Sequence, residues 1–130
     1  MPKETSQRHI KVVLVVEDET PIGDSLVQII CSETPHCALL ATNAFQAEEQ
    51  VKTLMPDLFL LDHRLPKRSG LELYDRLHSQ EAFQHIPAIF MTANLSAYEL
   101  EQRGVTLIKK PFNLNELLDT INAVLENEPC

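Results

Sequence analysis

The sequence of 130 residues has little glycine, no tryptophan and no long apolar run. No stretch approaches the roughly 18 to 20 apolar residues that a helix needs to cross a bilayer. The first nine residues are polar and mixed in charge, which is not the pattern of a secretory signal peptide. We therefore expect a cytoplasmic protein with no membrane partner.

Basic residues are also scarce. The 11 lysines and arginines face 19 aspartates and glutamates, so the formal charge at pH 7 is −8. Proteins that bind nucleic-acid backbones need lysine and arginine to displace counterions, so we expect no direct nucleic-acid partner. An acidic surplus of this size is otherwise typical of a soluble domain.

The cysteines and histidines are too few or too scattered to indicate a disulfide framework or a structural metal site. Cys31, Cys37 and Cys130 form an odd set without a C-x-x-C pair, which favours reduced thiols, with a bridge between Cys31 and Cys37 as the alternative. The five histidines lack metal-ligand spacing, and we interpret them as surface or packing residues. With 44% hydrophobic residues the chain can bury a core without disulfides or a structural metal.

Five short apolar runs recur along the chain without alternating polar residues. Such runs are typical of strands that are buried on both faces of a parallel sheet. The predicted strands cover residues 12–16, 38–41, 58–61, 88–91 and 106–108.

Helical spacing of apolar residues follows each run. Thr20 and Pro21 predict an N-cap and a proline at the first helical position, while Asn43 with Gln46 resembles a weak capping box. Three of the predicted helices cover residues 43–54, 70–79 and 97–103. The first helix begins after Thr20, and the last begins at Asn113, where Glu116 completes a capping box.

Strand and helix thus alternate five times, which predicts an α/β fold. Right-handed crossovers place helices on both faces of a parallel sheet, so we expect a doubly wound sandwich. These elements and their connections nearly fill the chain. We expect one domain over residues 11–127, between a flexible N-terminus (1–10) and a C-terminal tail (128–130).

Four predicted strands end at reactive or polar side chains. Because the carboxyl ends of parallel strands share one edge of a sheet, where open α/β folds bind ligands, we expect these side chains to meet. They are Glu17 and Asp18, Asp62, Thr92, and the pair Lys109 and Lys110.

Three carboxylates at one edge indicate a cation, because two unit charges at 4 Å repel by roughly 4 kcal/mol at an effective dielectric near 20. Oxygen-only ligands favour a hard ion, and Mg²⁺ more than Ca²⁺. A nucleophilic Asp62, a metal held by Glu17 and Asp18, and donors from Thr92 and a lysine suit phosphoryl transfer. The residues alone leave Lys109 and Lys110 as alternatives.

The same positions resemble the receiver domain of bacterial two-component response regulators, of the chemotaxis-regulator kind. The resemblance covers about residues 11–125 and implies a flavodoxin-like (βα)5 fold whose five-stranded parallel sheet has the order 2-1-3-4-5. It rests on Val15-Val16-Glu17-Asp18-Glu19, Leu60-Leu61-Asp62-x-x-x-Pro66-x-x-x-Gly70, Met91-Thr92-Ala93 and Lys110-Pro111-Phe112.

The resemblance implies a magnesium-dependent phosphoacceptor. Asp62 would accept the phosphoryl group, and Mg²⁺ would be bound directly by Asp18 and Asp62. Glu17 would bind the ion through water, and the backbone carbonyl of Arg64 would complete the protein ligands.

The resemblance also assigns the phosphoryl-binding side chains. Thr92 would bind a phosphoryl oxygen and Lys110 would pair with it. Lys110 is preferred over Lys109 because the family's lysine precedes a proline whose peptide bond is usually cis, here Pro111. Lys109 would then point to the opposite face of its strand.

The implied function is a signalling domain that catalyses its own phosphorylation and dephosphorylation and then switches conformation. Its donor would be a sensor histidine kinase or a histidine phosphotransfer protein, and its output an effector protein, an output domain outside this sequence, or a homodimer formed on phosphorylation. The alternative is a non-switching receiver-fold module that binds proteins. Flavin binding is disfavoured because Glu17-Asp18-Glu19 would repel a phosphate.

Three features depart from the family pattern or extend it. Leu107 stands where a tyrosine or phenylalanine is usual, and only 18 residues separate Thr92 from Lys110. Both predict an output surface other than the usual one. A loop with four basic or potentially basic residues is either solvated or forms a rim that attracts the donor or slows hydrolysis. The loop residues are His63, Arg64, Lys67 and Arg68.

Overall fold

The predicted parallel sheet is present in the computed structural model, which describes residues 10–65, 69–93 and 102–126. All four strand pairs are parallel, and the strand order is β2-β1-β3-β4-β5, as the resemblance implied. Each strand includes the predicted run and extends it by no more than one residue. The strands are β1 (Val12–Val16), β2 (Cys37–Ala41), β3 (Leu58–Asp62), β4 (Ala88–Thr92) and β5 (Thr106–Lys109).

Four helices and one 3₁₀ turn lie within the described residues. The helix predicted at residues 97–103 falls largely on residues 94–101, which lie outside the described part of the chain, as do most of the predicted terminal segments. None of the described helices is long and apolar enough to cross a membrane. The helices are α1 (Thr20–Glu33), α2 (Ala44–Gln50), α3 (Gly70–His78) and α4 (Leu114–Glu126), and the 3₁₀ turn is Glu81–Phe83.

The start of α1 differs from the prediction. Thr20 is the first helical residue rather than the N-cap, and Pro21 lies in the first turn. The N-cap is Glu19, whose side chain makes no capping hydrogen bond. Its backbone N–H is bound instead by Oε2 of Glu17 at 3.0 Å. The turn after β1 is therefore stabilised by the carboxylate of Glu17 and not by a side-chain N-cap of α1.

The predictions for the other helix ends succeed in part. Asn113 and Glu116 exchange both bonds of a capping box, at 3.0 and 2.8 Å. Asn43 accepts the N–H of Gln46 at 2.8 Å, but the Gln46 side chain binds the N–H of Thr42 instead of returning to Asn43. Helix α2 ends at Gln50 rather than residue 54, because the following residues form tighter i to i+3 turns.

Apolar side chains fill both faces of the sheet. One layer lies under α2 and α3 and includes Phe59, Leu61 and Phe90. The other lies under α1 and α4 and includes Leu60 and Ile89. Every residue of β3 and β4 is buried, which explains why their sequences lack alternation. Cys31 and Cys37 are free and exposed, so the alternative disulfide does not form.

Two side-chain hydrogen bonds hold the sheet at the end where its strands begin, opposite their carboxyl ends. Nδ1 of His36 accepts the N–H of Lys11 at 3.1 Å, and Oδ2 of Asp57 accepts the N–H of Val12 at 2.8 Å. Burial, with a smaller effect from the charge of Lys11, lowers the pKa of His36. Because Nδ1 accepts a hydrogen bond here, protonation of that nitrogen must break it.

We expect this bond to stabilise the fold less in acid. The unfolded chain takes up a proton near the ordinary histidine pKa of 6.5, while the folded chain does so only at lower pH. The contribution of His36 to the free energy of unfolding therefore decreases as the pH falls below about 6.5. Urea denaturation of the wild type and of His36→Asn, which keeps an acceptor that does not titrate, measures this contribution as the difference between the two proteins. That difference should shrink as the pH falls; a difference that stays the same at every pH would contradict the role of His36.

Candidate functional site

The carboxyl ends of the strands surround a cleft of about 800 Å³. The sheet register brings its walls together, because β3 lies between β1 and β4 and β5 follows β4. Thus side chains far apart in the sequence line one cavity. The lining residues are Asp18, Glu19, Asp62, His63, Arg64, Thr92, Ala93 and Lys110.

Three carboxylates meet at this edge. Glu17, Asp18 and Asp62 each place a carboxylate oxygen within 4.8 Å of the others. Glu17 and Asp62 are buried, whereas Asp18 is exposed to the cleft. The structure therefore brings together the side chains that the sequence assigns to a metal site.

The carboxyl group of Glu17 is incompletely satisfied. Oε2 accepts the N–H of Glu19, but Oε1 is buried and has no hydrogen-bond partner among the described residues. Burial raises the pKa of Glu17 to about 7, and the adjacent Asp62 adds to this effect, while the Glu19 N–H and Lys110 oppose it. Within the described residues, the buried Oε1 of Glu17 therefore has no donor to compensate for its burial.

These donors fit Mg²⁺. The cluster offers only oxygen atoms, an unpartnered buried oxygen among them, and one carboxylate that opens to solvent, where bound water can complete the coordination. Asp18 and Asp62 would hold the ion directly, with Glu17 nearby. Arg64 contributes its backbone N–H to Oδ1 of Asp62 at 3.1 Å. The role of the Arg64 carbonyl as a ligand stays a prediction.

Lys110, and not Lys109, reaches the central carboxylate. Its Nζ lies 3.3 Å from Oδ1 of Asp62. Its backbone N–H donates to the carbonyl of Thr92 at 2.8 Å, which joins the segment after β5 to the end of β4. The Lys110–Pro111 peptide bond is cis, as the resemblance implied, and Lys109 is exposed.

Helix α3 packs directly on the turn that follows Asp62. The N–H of Gly70 donates to the carbonyl of His63 at 3.0 Å. A Cβ atom on Gly70 would overlap the carbonyl oxygen of Asp62, so this position requires glycine. Ser69 and Glu72 form a capping box at the same helix end. The two residues have the S-x-x-E spacing that is common at the start of helices.

His63 is a site residue that the sequence did not identify. The sequence placed it only in a loop that is either solvated or forms a basic rim. In the structure it lines the cleft and places Nδ1 3.3 Å from Oγ1 of the buried Thr92. The signal was its position directly after Asp62, in register with Thr92. Lys67 and Arg68 of the same loop lie outside the described residues.

The profile of the response regulator receiver domain family matches residues 13–122 of the chain. The chain belongs to this family. The sequence resemblance and the strand order therefore agree with an independent comparison, and the site described above occupies the end of a receiver fold.

Relatives with known names support the assignment. The phosphate regulon transcriptional regulatory protein PhoB of Pseudomonas aeruginosa is 36% identical over 119 residues, which are 88% of this chain and 52% of PhoB. The transcriptional regulatory protein DltR of Streptococcus agalactiae is 37% identical over 113 residues, 84% of this chain and 49% of DltR. This receiver chain thus spans about half the length of these relatives.

A solved structure gives the same result. The CheY-like response regulator receiver domain protein of Methanospirillum hungatei superposes with a TM-score of 0.82 at 27% identity. The match covers 92% of this chain and 97% of that chain. The fold and the family are therefore shared over nearly the full receiver unit.

Leu107 is a half-buried residue of β5, the edge strand of the sheet. It is paired with Phe90 in the sheet and packs, half-buried, against the layer that contains Tyr74. An aliphatic side chain here can fill space but has no hydroxyl to form a hydrogen bond. That the output surface differs from the family's usual one stays a prediction.

We expect Mg²⁺ to stabilise this receiver. An ion that binds only the folded chain raises the free energy of unfolding with its concentration, so about 10 mM MgCl₂ should raise the melting temperature by several degrees over NaCl of equal ionic strength. Asp18→Asn should lose most of this increase. Asp24→Asn, which changes an exposed carboxylate on α1, is the matched control. A full increase in Asp18→Asn would argue against the assigned site.

Proposed function

We propose that residues 11–127 form a receiver that accepts a phosphoryl group on Asp62 in a Mg²⁺-dependent reaction and then changes its affinity for a partner. One observation carries this proposal. The buried carboxylate of Asp62 is held between Nζ of Lys110 and the N–H of Arg64, beside two further carboxylates and a threonine hydroxyl. A candidate nucleophile, a cluster of carboxylates that could hold a cation, and groups that could bind phosphoryl oxygens thus share one cleft.

The proposed transfer exchanges one P–N bond for one P–O bond. An oxygen of Asp62 attacks the phosphorus of a phosphohistidine, the P–N bond breaks, and the ring nitrogen keeps the electron pair. A proton on the other ring nitrogen lets the histidine leave as a neutral ring. Lys110 would pair with the transferred phosphoryl group and Thr92 would donate to one of its oxygens. When held by Asp18 and Asp62, Mg²⁺ would neutralise part of the negative charge that these carboxylates and the phosphoryl group carry.

The cleft rim also carries positive charge. Arg64 is exposed, two residues after Asp62, and it lines the cleft. Its guanidinium would attract an anionic donor or slow the hydrolysis of the acyl phosphate.

An apolar groove adjoins the cleft and suits the protein that carries the donor histidine. The groove has a volume of about 550 Å³ and shares Ala93 and Lys110 with the cleft. Ile22 of α1, which is 45% exposed, lines it together with Pro111 and Phe112. A phosphohistidine can reach Asp62 only if its own protein covers the cleft rim. We therefore place the docking surface of a histidine kinase or histidine phosphotransfer protein here.

The output is proposed to lie outside the described residues. PhoB and DltR are named as transcriptional regulatory proteins and are about twice as long as the matched segment. By analogy, a downstream effector or output domain would read the phosphorylated state, with a phosphorylation-dependent homodimer as one form of output. A cytoplasmic location would follow from such partners.

The first test uses a small donor. Incubation with Mg²⁺ and acetyl phosphate should add one phosphoryl group to the wild-type chain, measured by intact mass, and none to Asp62→Asn. Asp24→Asn controls for loss of a carboxylate elsewhere and should behave like the wild type. If the wild type takes up no phosphoryl group from any donor, the non-switching binding module becomes the better assignment.

The second test separates docking from chemistry. Ile22→Glu places a charge in the apolar groove, so uptake from a purified phosphohistidine domain that labels the wild type should slow at least tenfold. Uptake from acetyl phosphate should remain unchanged, since this donor needs no docking surface. Phe45→Glu alters an equally apolar, 65% exposed position on α2 and should affect neither rate. Equal slowing with both donors would show that Ile22 acts on the chemistry instead.

A further inference from the structure

We propose that His63 is a positioning residue for phosphoryl transfer, whose Nδ1 holds the hydroxyl of Thr92 in the orientation that a phosphoryl oxygen on Asp62 requires. This inference rests on the proposed function and adds a group to it. The resemblance assigned His63 no role beyond a basic loop. The evidence is its geometry with respect to Thr92.

The sheet register brings the two side chains together. Asp62 pairs with Met91, so the residues that follow them, His63 and Thr92, end neighbouring strands side by side. Nδ1 of His63 lies 3.3 Å from Oγ1 of Thr92. Thr92 is 2% exposed and lines the cleft, so its hydroxyl lies where little water reaches it.

The ring of His63 is firmly held. Its backbone N–H donates to the carbonyl of Met91, and its carbonyl accepts the N–H of Gly70, both at 3.0 Å. The ring also packs edge-on against Phe90, with centroids 6.4 Å apart and planes at 78°. Because the backbone of His63 is bonded on both sides and its ring packs on Phe90, the side chain needs little reorganisation when a ligand binds.

The protons determine the direction of the bond. A threonine hydroxyl has one proton, which must point at the phosphoryl oxygen if Thr92 is to bind it. In that state the proton between Thr92 and His63 must come from the ring, so Nδ1–H donates to Oγ1. The ring thereby directs the hydroxyl proton into the cleft. The hydrogen bond from Thr92 to the phosphoryl oxygen becomes stronger as charge develops on that oxygen. Orienting the hydroxyl therefore increases the rate of transfer.

The first measurement needs no phosphoryl donor. In ¹⁵N NMR spectra of the full chain, Thr92→Val removes the hydroxyl while keeping the shape of the side chain. The Nδ1 resonance of His63 should then shift by several ppm, while the ring resonances of the exposed His85 stay in place. An unchanged Nδ1 resonance would overturn the proposed hydrogen bond.

The second measurement tests the role in transfer. With acetyl phosphate and Mg²⁺, His63→Phe keeps a ring against Phe90 but removes Nδ1, and uptake should slow about three- to tenfold, the effect expected for one hydrogen bond. His63→Asn, which restores a polar atom near Nδ1, should recover most of the rate. His85→Phe is the matched control and should react at the wild-type rate.

A double-mutant cycle decides whether His63 acts through Thr92. The double variant of His63→Phe and Thr92→Val should be no slower than Thr92→Val alone. Additive losses, or a wild-type rate in His63→Phe, would overturn the inference. A wild type that accepts no phosphoryl group would overturn the proposed function and with it any part of His63 in transfer, while the NMR shift would still decide whether the two side chains are bonded.

Discussion

The carboxylate of Asp62 ends a strand whose other four residues are apolar, and groups from two other segments converge on it. Lys110 brings positive charge from beyond β5, while Glu17 and Asp18 bring negative charge from beyond β1. Clustered carboxylates at the edge of an apolar core are unfavourable unless cations accompany them. Burial, with a smaller effect from the adjacent Asp62, raises the pKa of Glu17 to about 7. The site is thus poised to bind a divalent cation and, with it, an anion.

This charge cluster depends on a rigid surround. The carbonyl of Asp62 packs against Gly70, and the turn at His63 is bound to both β4 and α3. Both apolar layers continue to this end of the sheet, with Phe90 beside His63. Fixed dipoles and charges in a partly water-excluded cleft act on a phosphoryl group without first reorganising. The core therefore does more than stabilise the receiver, because it holds the positions of the reacting groups.

The strands and the carboxylate cluster could be predicted because their signals are local. Unbroken apolar runs define β3 and β4, and a polar residue at each strand end follows from the chain direction. The residues alone could not distinguish Lys110 from Lys109, since both follow the predicted fifth strand. The family resemblance favoured Lys110, and in the structure its Nζ lies 3.3 Å from Oδ1 of Asp62.

Other features depend on contacts between distant segments. Glu19 replaces Thr20 as the N-cap of α1 because Glu17 captures its backbone N–H, an interaction that cap statistics do not contain. His63 gains its position from the pairing of β3 with β4 and from the helix that starts at Gly70. Sequence patterns describe what a residue prefers on its own element. They do not describe which side chain the neighbouring strand will place beside it.

A phosphoryl group can shift the receiver between two states only by interacting differently with them. In this structure, Lys110 contacts Asp62 and Thr92 contacts His63. A phosphoryl group on Asp62 would give both side chains a new partner at once. Their backbones are joined by the bond from Lys110 N–H to the carbonyl of Thr92, so the ends of β4 and β5 would respond together. With an aliphatic Leu107 beside Phe90, that response would have to leave the site through main-chain movement and repacking rather than through a side-chain hydroxyl.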